Sequence, residues 1–97
     1  MSAYIIVDVD IHKPSESEEY KKLTPQSIHA YGGRFVVRGG RAETLEGNWQ
    51  PGRIVVLEFP TADQARAWWS SAEYAPAKSI RQRTAYTEMI LVEGVEG

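Results

Sequence analysis

Four short segments of this chain alternate residue by residue, and each carries two contrasting registers. Successive side chains of a β-strand point to opposite faces, so a period of two sorts residues by face. One register is nearly pure hydrocarbon: Ile5, Val7, Val9 and Ile11; Phe35 and Val37; Val55, Leu57 and Phe59; Met89 and Leu91. It needs a cover of helices. The other is mixed: Tyr4, Ile6, Asp8 and Asp10; Arg34, Val36 and Arg38; Ile54, Val56 and Glu58; Tyr86, Glu88, Ile90 and Val92. A sheet face meant for water is polar throughout, whereas contiguous apolar residues on such a face mark an interface. At about 25 cal/mol per Å² of apolar area, covering a few hundred Å² is worth several kcal/mol, comparable to the stability of a small domain. A second copy related by a twofold axis is the simplest cover. The alternative is a monomer with scattered surface aliphatics.

The segments between the strands read as helices. After a strand over 3–11 and a turn at His12 to Pro14, Ser15 and Glu18 fit a capping box. The helix that follows places Tyr20, Leu23, Ile28 and Tyr31 on one face. Thr24-Pro25 predicts a kink or restart, and Gly32-Gly33 a stop. A second strand over 34–38 is bent at Gly39-Gly40 before a weaker extension through 41–45, and 46–52 is a loop holding Trp49. The third strand, 53–59, ends at Pro60, where Thr61 and Gln64 form another capping box. Ala65, Trp68, Trp69 and Ala72 share one helical face, with one Trp pointing partly outward. A short helix over 77–83 and a strand over 85–93 complete the chain. The order βαββαβ is the ferredoxin-like split βαβ arrangement, an α+β fold with a four-stranded antiparallel sheet. Right-handed crossovers put strands one and three at the centre and both helices on one face. Two such sheets face to face form a dimeric α/β barrel.

Ninety-seven residues make one domain, read as 1–97. The formal charge of −2 excludes a broadly basic nucleic-acid surface. No Cys is present, so disulfides, a thiol nucleophile and thiolate-bound metals are excluded. No apolar run reaches the ~20 residues of a membrane span, and the N-terminus lacks a signal-peptide pattern. The expectation is a soluble cytoplasmic protein without nucleic-acid or membrane partners.

Candidate chemistry sits in the mixed register. With strands one and three adjacent, Asp8 and Glu58 are expected to approach each other, with Arg38 reaching one of them. Such a cluster serves as acid and base, grips a small polar ligand, or pairs Arg38 with Glu58 as a structural bridge. Tyr74, Trp49 and Arg81 are expected at the open end of a cavity between sheet and helices, with Tyr74 and Arg81 offering hydrogen bonds to an acid. Asp8, Asp10 and His12 resemble metal ligands only weakly, since residues two apart on a strand are ~6.6–7 Å apart; no metal site is assigned. His29 near a helix C-terminus suits the dipole there. No nucleophile elbow or phosphate loop occurs.

Val37-Arg38-Gly39-Gly40, Leu45-Glu46-Gly47, "VVLEFP" at 55–60, "WWSSAEY" at 68–74, Arg81 and the terminal "ILVEGVEG" together resemble the bacterial family called domain of unknown function 1330. The resemblance runs along nearly the whole chain. It implies a ferredoxin-like homodimer of the dimeric α/β-barrel superfamily and no established reaction. Where the family shows Ser-Pro-Glu-Tyr, this chain has Ser71-Ala72-Glu73-Tyr74, and where members often carry His it has Asp8. The superfamily includes monooxygenases and haem proteins, but a haem ligand here would have to be His12 or His29, so no cofactor is expected. Two readings stand. One is a barrel that binds or transforms a small organic acid or aromatic molecule through Asp8, Arg38, Glu58, Tyr74 and Arg81. The other is a non-enzymatic dimerisation or ligand-sensing module whose charges only pair with one another.

Overall fold

The computed structural model describes residues 2–95; Met1, Glu96 and Gly97, which belong to the domain read over 1–97 and to the terminal string, lie outside the described residues. Its elements are β1 (Ala3–Ile11), α1 (Pro14–Ala30), β2 (Arg34–Arg38), β3 (Arg53–Phe59), α2 (Ala62–Trp69), α3 (Ala75–Thr84) and β4 (Ala85–Glu93). The sheet runs β2-β3-β1-β4, with every neighbouring pair antiparallel. This is the ferredoxin-like order, with the two central strands where chirality places them.

The hydrocarbon register is the core except for Val37, which pairs with Val56 on the open face and is exposed. Ile5, Val7, Val9, Leu57 and Phe59 are buried with Ile28 of α1, Ala65 and Trp68 of α2, and Tyr74 and Ala77 beside or within α3. Trp68 is the hub: its ring lies 4.1 Å from Tyr74 and 5.6 Å from Phe59, and its indole N–H donates to Ser27 Oγ at 3.0 Å. That bond ties α2 to α1.

Local chemistry departs from expectation in α1. The helix begins at Pro14, with Lys13 as an N-cap that makes no side-chain cap bond. Pro at the first position has its φ already set and gives up an N–H that no helix bonds there, so the Ser15–Glu18 box does not form. Pro25 lies inside a continuous helix, and Thr24 is no cap: its hydroxyl donates to the Tyr20 carbonyl at 2.6 Å. Packing of Ile28 and the Ser27–Trp68 bond hold the helix together past the missing N–H. Its end follows expectation: Gly32 has φ +78°, and the Gly33 and Gly32 amides close on the Ile28 and His29 carbonyls, each at 3.0 Å.

At α2 the N-cap half of the capping box forms: Thr61 Oγ1 accepts from the Gln64 amide at 3.1 Å, while the Gln64 side chain accepts the Thr61 hydroxyl at 3.1 Å and donates to the Tyr31 carbonyl at 3.3 Å. The helix stops at Trp69, one turn short of the expected face, so Ala72 falls outside it and is exposed. Trp69 is the outward Trp, covered on one side by the Lys78 ammonium, 3.9 Å from its ring centroid. The extension expected over 41–45 is absent. Gly39 turns the chain at φ +72° and its amide ends the ladder on the Ile54 carbonyl.

Ser27→Ala leaves a buried indole N–H without a partner, which costs about 1–3 kcal/mol. Denaturant titration will show that loss, and in a Trp68→Phe background the same substitution will cost far less.

Candidate functional site

A cavity of about 60 Å³ lies between the sheet and the helices, several times the space one water needs. Val7, Val9, Ile11, Val55, Leu57 and Met89 form its floor; Tyr20, Thr24 and Ile28 of α1, Trp68 of α2, and Arg81 and Thr84 of α3 wall it. Its charged lining is all cationic: Lys21, Arg38, Arg53 and Arg81, with no Asp or Glu. In a chain of net charge −2, that sorting favours anions.

Arg81 is the innermost of these cations, only 8% exposed. Its Nε donates to the Tyr74 hydroxyl at 3.2 Å, and that oxygen lies 3.2 Å from the Tyr20 hydroxyl. Among the described residues, no carboxylate comes within ion-pair distance of Arg81. Tyr74 is fully buried. Burial first, then the neighbouring Tyr20, raise its pKa well above the ordinary phenol value, with Arg81 opposing. The phenol therefore stays protonated and serves as a hydrogen-bonding group. On its other side Arg81 also walls a wide, open groove of about 590 Å³ beside β4, where the Thr87 hydroxyl is buried without a partner.

The remaining sequence-derived candidates divide between the two faces of the sheet. Arg38 is not in the mixed register. Between Phe35 and Val37 the β2–β3 pairing slips by one residue, so Val37 faces Val56 and Arg38 faces Val55. This bulge moves Arg38 to the helix side, where its guanidinium lies 4.3 Å from the Phe35 ring centroid. Glu58 stays on the open face. Arg34 Nε donates to its Oε1 at 2.7 Å, with Nη2 in ion-pair contact with the same oxygen at 2.7 Å, and Tyr4 donates to Oε2 at 3.1 Å. The expected Arg38–Glu58 bridge is thus an Arg34–Glu58 bridge. Asp8 faces Ile54 and Glu88, while Glu58 faces Tyr4. Four residues separate the two carboxylates along the sheet, about 13 Å, so they do not meet. Asp8 instead accepts the Trp49 indole N–H at 3.0 Å and the Gly52 amide at 2.9 Å, fastening the 39–52 loop to β1. Trp49 therefore lies on the open-face side, away from the cavity. His12 stacks on Tyr86 at 4.6 Å. Among the described residues no three His, Asp or Glu side chains gather at metal-binding distance.

The family model of a domain of unknown function, DUF1330, matches residues 2–95. The chain belongs to this family. Solved structures with the same fold include a protein of unknown function from Rhodopseudomonas palustris, 14% identical, with a TM-score of 0.78, covering 99% of this chain and 84% of that one. Another is SnoaB, a cofactor-independent oxygenase from Streptomyces nogalater, 15% identical, TM-score 0.67, covering 99% and 95%. A third is a dimeric protein of unknown function with a ferredoxin-like fold from Bacteroides fragilis, 16% identical, TM-score 0.56, covering 96% of each. At these identities the likeness is one of fold. No curated protein matches the chain. Among the described residues, no helix is long and apolar enough to cross a membrane.

Sequence reasoning named Arg38 and Arg81 of the cavity wall, placed at its open end a Tyr74 that is instead buried in the core behind Arg81, and overlooked Arg53, Tyr20 and Thr84. Arg53 was detectable by parity, since it shares its face with Val55, Leu57 and Phe59. Tyr20 was visible only as part of a helical face, because nothing local indicates that its hydroxyl meets Tyr74.

The Arg34 bond first, then the Tyr4 bond, hold the Glu58 carboxyl below its ordinary value of 4.5. A depressed folded-state pKa contributes stability that is fully present above the unfolded value and is lost as pH falls through the folded one. Glu58→Gln will therefore be destabilising at neutral pH, and the difference from the parent will shrink in acid, below the ordinary carboxylate range. Thermal melts across that range check it.

Proposed function

We propose that this protein binds a small organic acid in the cavity between its sheet and helices and works as a homodimer joined through the open sheet face. The observation that carries the ligand reading is Arg81, buried against apolar side chains with a single phenol as partner. A buried cation left without a counter-charge is costly. A ligand carboxylate accepting two parallel guanidinium N–H groups would supply the missing charge. Tyr74 orients Arg81 by holding Nε, and the floor of Val7, Val55 and Leu57 suits a flat hydrocarbon or aromatic body. Arg38 stands at the cavity wall as a further contact.

Asp8 and Glu58 take structural roles in this reading. Each carboxylate is already engaged on both oxygens, Glu58 by Arg34 and Tyr4 and Asp8 by Trp49 and Gly52. That full pairing is what the alternative of structural charge pairs expects, and it applies to the open face alone.

The dimer reading rests on hydrocarbon in the open. Ile90 is 57% and Val36 46% exposed, with Val37 and Val92 also exposed on the sheet. Such a contiguous patch favours a partner, and the B. fragilis neighbour is a dimer.

Two measurements test these proposals. Benzoate, unlike benzyl alcohol, will raise the melting temperature, with about 2.7 kcal/mol of stabilisation at a hundredfold excess over Kd. Arg81→Met will abolish that rise while circular dichroism shows a folded chain. No shift at millimolar benzoate or other small acids overturns the ligand reading. Sedimentation at micromolar concentration will give twice the chain mass, and Ile90→Arg with Val92→Glu will halve it; a parent monomer overturns the dimer.

A further inference from the structure

The cavity has two cationic ends. Arg81 is one. The other is a pair, Arg38 and Arg53, on the same face of adjacent strands: Arg38 faces Val55, and Arg53 lies two residues from Val55 on β3. Two guanidiniums at neighbouring sheet positions repel each other. Among the described residues neither has a carboxylate within ion-pair distance.

Three local devices bring this pair about. The bulge between Phe35 and Val37 turns Arg38 onto the helix face; without it, strand alternation would leave Arg38 beside the open-face residues. The Phe35 ring then holds the Arg38 guanidinium from below at 4.3 Å. Gly39, at φ +72°, leaves room for the Arg53 guanidinium where any Cβ would collide with it. A bulge, a cation–π contact and a left-handed glycine thus converge on two unneutralised cations at the wall of an apolar cavity. Bulges that re-aim a side chain in this way concentrate beside functional sites.

We propose that the Arg38–Arg53 pair is a second anion subsite, and that the cavity takes a dianion: an apolar body carrying an acid group at each end. One acid meets Arg81 and the other meets Arg38 and Arg53. Arg53 faces Val9 and Val9 faces Thr87 of β4, a residue that walls the outer groove together with Arg81, so about two strand spacings of sheet, on the order of 10 Å, separate Arg53 from the Arg81 side of the cavity. A short aliphatic dicarboxylate has that reach. The proposal rests on the cavity being an acid site, as argued above, and adds the charge and length of the ligand.

Titration calorimetry on the full chain with hexanoate, adipate and suberate separates the two statements. At least one diacid is expected to bind about tenfold or more tighter than hexanoate, a factor in the range of one charge-assisted pair. Arg53→Met is expected to reduce diacid affinity to that of hexanoate while leaving hexanoate unchanged, and Arg38→Met is expected to reduce diacid affinity as well. Arg81→Met is expected to weaken all three acids. Equal affinity of hexanoate and both diacids in the parent protein, which needs no variant, overturns the dianion proposal and leaves the acid site standing. So does a diacid preference that survives both Arg38→Met and Arg53→Met. Failure of every acid to bind overturns the acid site and this proposal together.

Discussion

A strand buried on one face must do something with the other, and both central strands of this sheet meet that constraint. β1 and β3 each pair on both edges, so their backbones are satisfied by the sheet, and the helices fill in above Ile5, Val7, Val9, Leu57 and Phe59. The helices cover this layer unevenly. Where Trp68, Tyr74 and Phe59 stack, the covering is dry and complete. Around Val9, Val55 and Met89 it opens, and the space is bordered by arginines. The cavity is therefore a property of how three helices tile one sheet, and its chemistry comes from which residues of the hydrocarbon register are replaced by cations.

Most of the architecture was legible because it rests on periodicity. The bounds of all four strands, the Schellman stop at Gly32-Gly33 and the Thr61–Gln64 cap follow from side-chain alternation or from the backbone demands of particular residues. What periodicity misses is a change of period. The bulge at Val36 has no composition of its own, since Val-Val reads as ordinary strand, yet it reverses the face of Arg38. The start of α1 was misplaced because Ser15 and Glu18 match a capping pattern while Pro14 satisfies the same need more simply.

The site was legible in its members and illegible in its grouping. Arg81 and Tyr74 lie seven residues apart, two helical turns, and that spacing alone lets them share a face. Asp8 and Glu58 depended on a β1–β3 register that no local feature specifies; the observed pairing sets Glu58 against Tyr4 and Asp8 against Ile54. Charges that appeared to form one cluster are thus two separate fastenings, one for the edge strand through Arg34 and one for the 39–52 loop through Trp49.

The two borders of the sheet differ in a way that bears on the fate of the chain when crowded. β2 is five residues long, interrupted by its bulge and flanked by arginines, a poor template for lateral growth. β4 is nine residues long and pairs with β1 in unbroken register, with Ile90 and Val92 uncovered. Unpaired strand rims of that kind nucleate intermolecular ribbons. Lateral growth of the sheet is therefore discouraged at β2 and open at β4, so any ribbon of chains would start from the β4 rim.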